Sequence, residues 1–260
     1  MSVLLLRLAG PLQAWGSAAR FTRRTTENAP TKSGVLGLLA AAQGRSRDAD
    51  LSDLAALGFG VRIDQPGTRL RDFQTAHHSD SGKAMPLSER FYLADAVFVA
   101  GVEGEPRFLN ALYEALLEPV FLPYLGRRSC PPSQPITIDE PSDTGLEQAL
   151  RDAKWQASEW YRNRRVGSSR LGDHSSWGAE QLEILLDCPA DETPDHTLRD
   201  LPLSFDPRHR QYGLRGVRGT QMTLPPAGGG SATAESPTVA PRPPHHDPTA
   251  VLPPAAPRTT

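Results

Sequence analysis

Cysteine is nearly missing from this chain: Cys130 and Cys188 are its only two in 260 residues. Two isolated thiols build neither a disulfide framework nor a zinc site. Long apolar runs are missing too, and the N-terminus lacks the charged-then-apolar pattern of a secretion signal, so the expected compartment is the cytoplasm, with no membrane contact. Lysine is scarce, at Lys32, Lys83 and Lys154 alone, a skew that genome composition explains as readily as function. A nucleotide phosphate loop is excluded, because Pro30-Thr31 stand before Lys32-Ser33 where glycines would be required. No metal or cofactor is expected, since His174, His196 and His209 have no ligand spacing and His245-His246-Asp247 lacks rigid support.

Charge is present but segregated. Between Met1 and Arg47 seven basic residues face Glu27 alone, a local balance of +6, although the whole chain carries −2. Its counterweight lies between Asp173 and Asp206, where nine acids face Arg199. A positive cluster of this kind drives association with a phosphate backbone whatever the molecular total. A solvated charged surface gives the same pattern.

The run Leu4 to Ala9 suits a buried strand, and it ends in Gly10-Pro11 before Leu12-Gln13-Ala14-Trp15-Gly16. Trp15 is then either a core plug or a stacking platform. Thr31 or Ser33 caps a helix predicted over Gly34 to Gln43 and stopped by Gly44. A short helical turn at Leu51 to Leu57 precedes strands at Phe59 to Asp64 and Arg69 to Thr75, joined as a hairpin by Gln65-Pro66-Gly67-Thr68. A strand over Ala96 to Val102 and an amphipathic helix over Phe108 to Leu117 follow, with more strand material later. This order predicts an α+β sandwich of the ferredoxin-like type, over residues 1–222. Ala76 to Arg90 reads as a polar projecting arm. Residues 223–260, rich in proline and glycine, read as a disordered tail.

Three features carry chemistry. Lys32 and Ser33 at a helix start can attract phosphate through free amides and the helix dipole, or merely cap. Tyr124-Leu125-Gly126-Arg127-Arg128-Ser129-Cys130-Pro131 aims paired arginines from a tight turn. Trp160-Tyr161-Arg162-Asn163-Arg164-Arg165 interleaves aromatic and basic residues, which suits RNA stacking but slightly better a helix edge with its aromatics turned inward. RNA cleavage by His77 and His78 would need an acid and a base on one phosphate, yet neighbours on an extended segment point opposite ways.

Together, Leu6 to Gly16, Pro30 to Leu39, Leu70-Arg71-Asp72-Phe73-Gln74-Thr75 and Pro123 to Pro131 closely resemble the CasD subunits of the type I-E CRISPR surveillance complex, Cascade. The resemblance covers about the first half of the chain, with a weaker echo from Leu201 to Arg215. It implies an RRM-like fold of the RAMP superfamily with additional C-terminal strands, and it maps the thumb of that fold onto Ala76 to Arg90. It also implies a non-catalytic, cofactor-free subunit that grips the 5′ handle of the CRISPR RNA, caps the backbone subunits, and helps seat the large subunit that inspects target DNA. The alternative is a metal-independent endoribonuclease that processes repeat RNA, as relatives in type I-C systems do. The implied RNA contacts are Gln13, Trp15, Arg20, Arg24, Lys32, Ser33, Arg71, His77, Arg127 and Arg128.

Overall fold

A computed structural model of the chain describes residues 1–17, 22–163, 181–206 and 208–224. Arg20, His174, Arg164, Arg165 and the tail beyond Leu224 lie outside the described residues. In chain order the elements are β1 (Ser2–Ala9), β2 (Leu12–Gln13), β3 (Arg23–Arg24), α1 (Lys32–Ala42), α2 (Ser52–Ala55), β4 (Gly58–Gln65), β5 (Thr68–Gln74), β6 (Ser88–Ala94), β7 (Val97–Gly104), α3 (Pro106–Leu117), α4 (Leu146–Asp152), β8 (Gln181–Asp187), β9 (His196–Ser204) and β10 (Gln211–Thr223). The described chain is α+β.

Six strands form a large sheet in the order β1-β7-β4-β8-β10-β9, with every neighbouring pair antiparallel. Beyond β1, residues 136–142 run antiparallel to it through the bridges Leu6↔Thr137 and Val3↔Ser142. Strands β1, β4 and β7 are rich in apolar residues because both faces of the sheet are covered. Leu4, Leu6 and Leu8 of β1, Phe59 and Val61 of β4, and Phe98, Ala100 and Val102 of β7 meet Leu36 and Leu39 of α1 and Leu109 and Leu112 of α3. The residues out of phase, Leu5 and Val99, join Leu146 and Leu150 of α4 with Ile184 and Leu186 of β8. Helix α4 sits close because Gly60 and Gly101 are register partners beneath it; a Cβ at Gly101 would stand 2.7 Å from Leu146 Cδ1.

The predicted hairpin at Gln65 to Thr68 is not one. Gly67, at φ +73°, turns the chain out of the large sheet, and β5 pairs along its whole length with β6, from Thr68↔Ala94 to Gln74↔Ser88. The physical reason is that both edges of β4 are taken, one by β7 and the other by β8, so β5 finds its partner outside the large sheet. Ala76 to Arg90 is accordingly the outer part of the β5–β6 hairpin, closed by His78 N–H to Lys83 O and Met85 N–H to Ala76 O. Strands β2 and β3 take the other edge of β6, β3 in parallel through Arg23↔Glu89 and Arg24↔Arg90. A small four-stranded sheet with β6 at its centre results.

Candidate nucleic-acid interface

The small sheet places arginines against aromatic rings. Cross-strand partners share a face, so Arg23, Glu89, Phe73, Phe91 and Arg71 lie together on one side. Arg23 stands over Phe91 at 5.5 Å and Arg71 over Phe73 at 4.7 Å, and both cations pair with Glu89. Phe73 is half exposed, so part of its ring is open to solvent. On the other side Arg24 and Arg90 are register partners, and Tyr92 lies two residues along from Arg90. Arg127 reaches in from its turn to stack over the Tyr92 ring at 4.7 Å. Its Nη2 donates to Arg24 O at 2.9 Å and to Thr25 O at 3.5 Å, which ties the Arg127 turn to β3. Arg128 next to it is exposed. Cations stacked on rings in a solvent-facing sheet are the elements of a platform for single-stranded nucleic acid.

Several sequence-selected residues have other duties. Gln13 is fully buried; its Nε2 donates to Leu8 O at 2.9 Å and Ala96 O at 2.8 Å, and its Oε1 accepts from Trp15 Nε1 at 3.0 Å. Trp15 is likewise fully buried, packed against Gly34 at the start of α1, where a Cβ would lie 2.8 Å from its ring. It is the core plug and not the stacking platform, because an indole this enclosed has no free ring face. Lys32 and Ser33 are also buried. The anion at this helix start is Asp200, whose Oδ2 accepts from Lys32 N–H at 2.8 Å, while Lys32 Nζ pairs with Asp187 at 2.9 Å. Arg215 closes the network with 2.8 Å and 2.7 Å bonds to Asp200 and a 2.8 Å bond to Asp187. A phosphate has no room in an arrangement already neutralised from within. Lys32→Met is therefore expected to lower stability by on the order of 1–2 kcal/mol while leaving the salt dependence of RNA binding unchanged; a flattened salt slope would return Lys32 to the interface.

Histidines 77 and 78 are exposed in the hairpin and support its turn, His77 Nδ1 facing Gly82 O at 3.0 Å. Trp160 is exposed, packing edge-on against Tyr161. Sequence reasoning passed over Arg23, Arg90, Phe91 and Tyr92. The alternation Arg69-Leu70-Arg71 and the run Arg90-Phe91-Tyr92 were the available signal, but only the pairing of β5 with β6 sorts these residues onto faces. No helix among the described residues is long and apolar enough to cross a membrane.

A profile of the family described as CRISPR-associated protein (Cas_Cas5) matches residues 3–218. Among curated proteins, the CRISPR system Cascade subunit CasD of Escherichia coli (strain K12) is 38% identical over 170 residues, which covers 57% of this chain and 75% of that one. The fold is similar to a chain described as "Crystal structure of Cas protein", at 36% identity and a TM-score of 0.64 over 85% of this chain and 95% of that one. It is also similar to a chain of a "CRISPR RNA-guided surveillance complex", at 30% identity and a TM-score of 0.69 over 86% of this chain and 92% of that one.

Proposed function

The chain belongs to the CRISPR-associated protein (Cas_Cas5) family, and from that membership we propose that it is the CRISPR RNA-binding subunit of a Cascade surveillance complex, holding the 5′ handle without cutting it. The observation that carries this reading is the small sheet, where Arg23 and Arg71 stack on Phe91 and Phe73 on one face, while on the other Arg127 is held over the buried Tyr92 ring. Stacking on such rings and pairing with such guanidiniums suits unpaired bases and their phosphates. In this reading β1, α1, β4, β7, α3 and residues 136–142 are a ferredoxin-like RAMP core, with the 136–142 segment next to β1 as the fourth strand. The β5–β6 hairpin is its thumb. The chain then caps the backbone subunits and helps seat the large subunit, so that target DNA is met indirectly.

Phe73→Ala is expected to weaken binding of handle RNA by about 10-fold, the loss of one base stack, with little change in stability because the ring is half exposed. Fluorescence anisotropy with handle and scrambled RNA measures it. Equal affinity of the wild type for both RNAs would sink the reading. So would specific metal-independent cleavage of repeat RNA that disappears on replacing His77 or His78.

A further inference from the structure

We propose that Arg24, Arg90 and Arg127 form one notch that takes a single phosphate of the RNA, an inference that rests on the handle-binding reading and goes beyond it by assigning the atoms. Three observations converge. Arg24 and Arg90 face the same side because they are register partners on β3 and β6, and Arg127 lies over Tyr92, two residues from Arg90 on that side. Arg127 is fixed there before any ligand arrives, by the ring beneath it and by the carbonyls of Arg24 and Thr25.

The second observation is the missing counter-charge. Several arginines of the two sheets are matched by carboxylates: Arg62 has Asp64, Arg215 has Asp187 and Asp200, and Arg23 and Arg71 share Glu89; others, such as Arg7 and Arg69, meet only neutral oxygens. Among the described residues Arg24, Arg90 and Arg127 make no ion pair. Asp72, the register partner of Arg90 on β5, shares that side and accepts Phe73 N–H through Oδ1, but makes no ion pair with any of the three.

The third is a pair of orphaned donors. Arg90 Nε and Arg127 Nη1 are both enclosed and have no hydrogen-bond partner. An enclosed donor without an acceptor carries a desolvation cost, which a ligand oxygen bonded to it relieves. Three guanidiniums carried on one side by two strands and a turn call for a ligand with several charged acceptors pointing in different directions. The tetrahedral oxygens of phosphate supply these, and guanidinium pairs with them bidentately. Arg90 is thus a binding residue, and Arg127 both binds and positions β3.

The test is a scan of handle RNA against the full chain, with each phosphodiester in turn replaced by a neutral methylphosphonate and the 5′ end supplied with and without phosphate. In the wild type one position should cost about 10-fold in affinity, the loss of one charge-assisted contact. In Arg90→Gln that same position should cost nothing further, while penalties elsewhere persist. Arg24→Gln should behave alike, and the melting temperatures of both variants should match the wild type. An internal linkage identifies a diester as the ligand; an effect confined to the 5′ phosphate identifies the terminal group. If the penalty survives in both variants, the notch is wrong although the handle is still bound; if the wild type does not prefer handle RNA, the underlying reading has failed instead.

Discussion

Arg62→Met should destabilise the protein by about 3–5 kcal/mol, the cost of leaving half of a buried ion pair behind. Arg62 and Asp64 are both fully enclosed, joined by two bonds of 2.7 Å and 3.0 Å. The same guanidinium donates to Leu150 O and Ala153 O through Nη1, at 2.5 Å and 2.7 Å, and to Lys154 O through Nη2 at 2.9 Å. It therefore caps the end of α4 and holds that helix on the large sheet. Methionine fills much of the space but satisfies none of these acceptors. The loss should depend on pH in a definite direction. Burial pushes the Asp64 carboxyl up, and Arg62 opposes that rise. Without Arg62 the folded-state pKa climbs further above the unfolded value, so the folded variant holds a proton that the unfolded chain releases. Its deficit relative to the wild type should shrink as pH falls through that raised pKa and grow as pH rises. Urea unfolding of both proteins across pH measures this. A difference independent of pH would clear Asp64, and adding Asp64→Asn to Arg62→Met should recover part of the loss.

Gly126→Ala should cost about 3 kcal/mol, combining a left-handed backbone with a clash against main chain. Gly126 has φ +83°, and a Cβ there would lie 1.8 Å from Ala14 O. Ala14 N–H donates to Leu125 O at 3.1 Å, so the loop that carries buried Trp15 would have to separate from the Arg127 turn. Arg127 would then leave both Tyr92 and the β3 carbonyls, and RNA affinity should fall together with stability. Gly82 is the control. It has φ +65° but open space around it, so Gly82→Ala should cost only about 1 kcal/mol. Equal losses at the two glycines, in thermal melts, would mean that backbone strain and not the clash with Ala14 is responsible.

How far the sequence could be read follows from what kind of signal each element carries. Strands β1 and β7 and helices α1 and α3 announce themselves through apolar residues in runs or at helical spacing. Strand β6 did not, because the small sheet buries little besides its Tyr92 and Leu93 and leaves Ser88 to Phe91 looking like loop. The supposed partner of β5 was wrong for the same reason: pairing is a choice among edges, and local composition does not rank them. The Arg127-Arg128 turn stands out in the sequence as cations held in a tight turn, and the fold sets Arg127 over Tyr92 and leaves Arg128 exposed. Gln13, Trp15, Lys32 and Ser33 stood out because they are unusual, yet each is unusual in order to complete the interior.

From residues alone came the order of elements that sets an α+β fold, the concentration of positive charge in the first part of the chain, and the glycines that permit its turns. Tertiary structure alone decided which of those cations are spent and which are free. Lys32 meets Asp187 and Asp200 across 155 and 168 residues, and Arg127 meets Arg24 across 103. Chain separation says nothing of such meetings, since a charge is neutralised by whatever folding brings within about 4 Å. The free cations are those that folding leaves without a carboxylate.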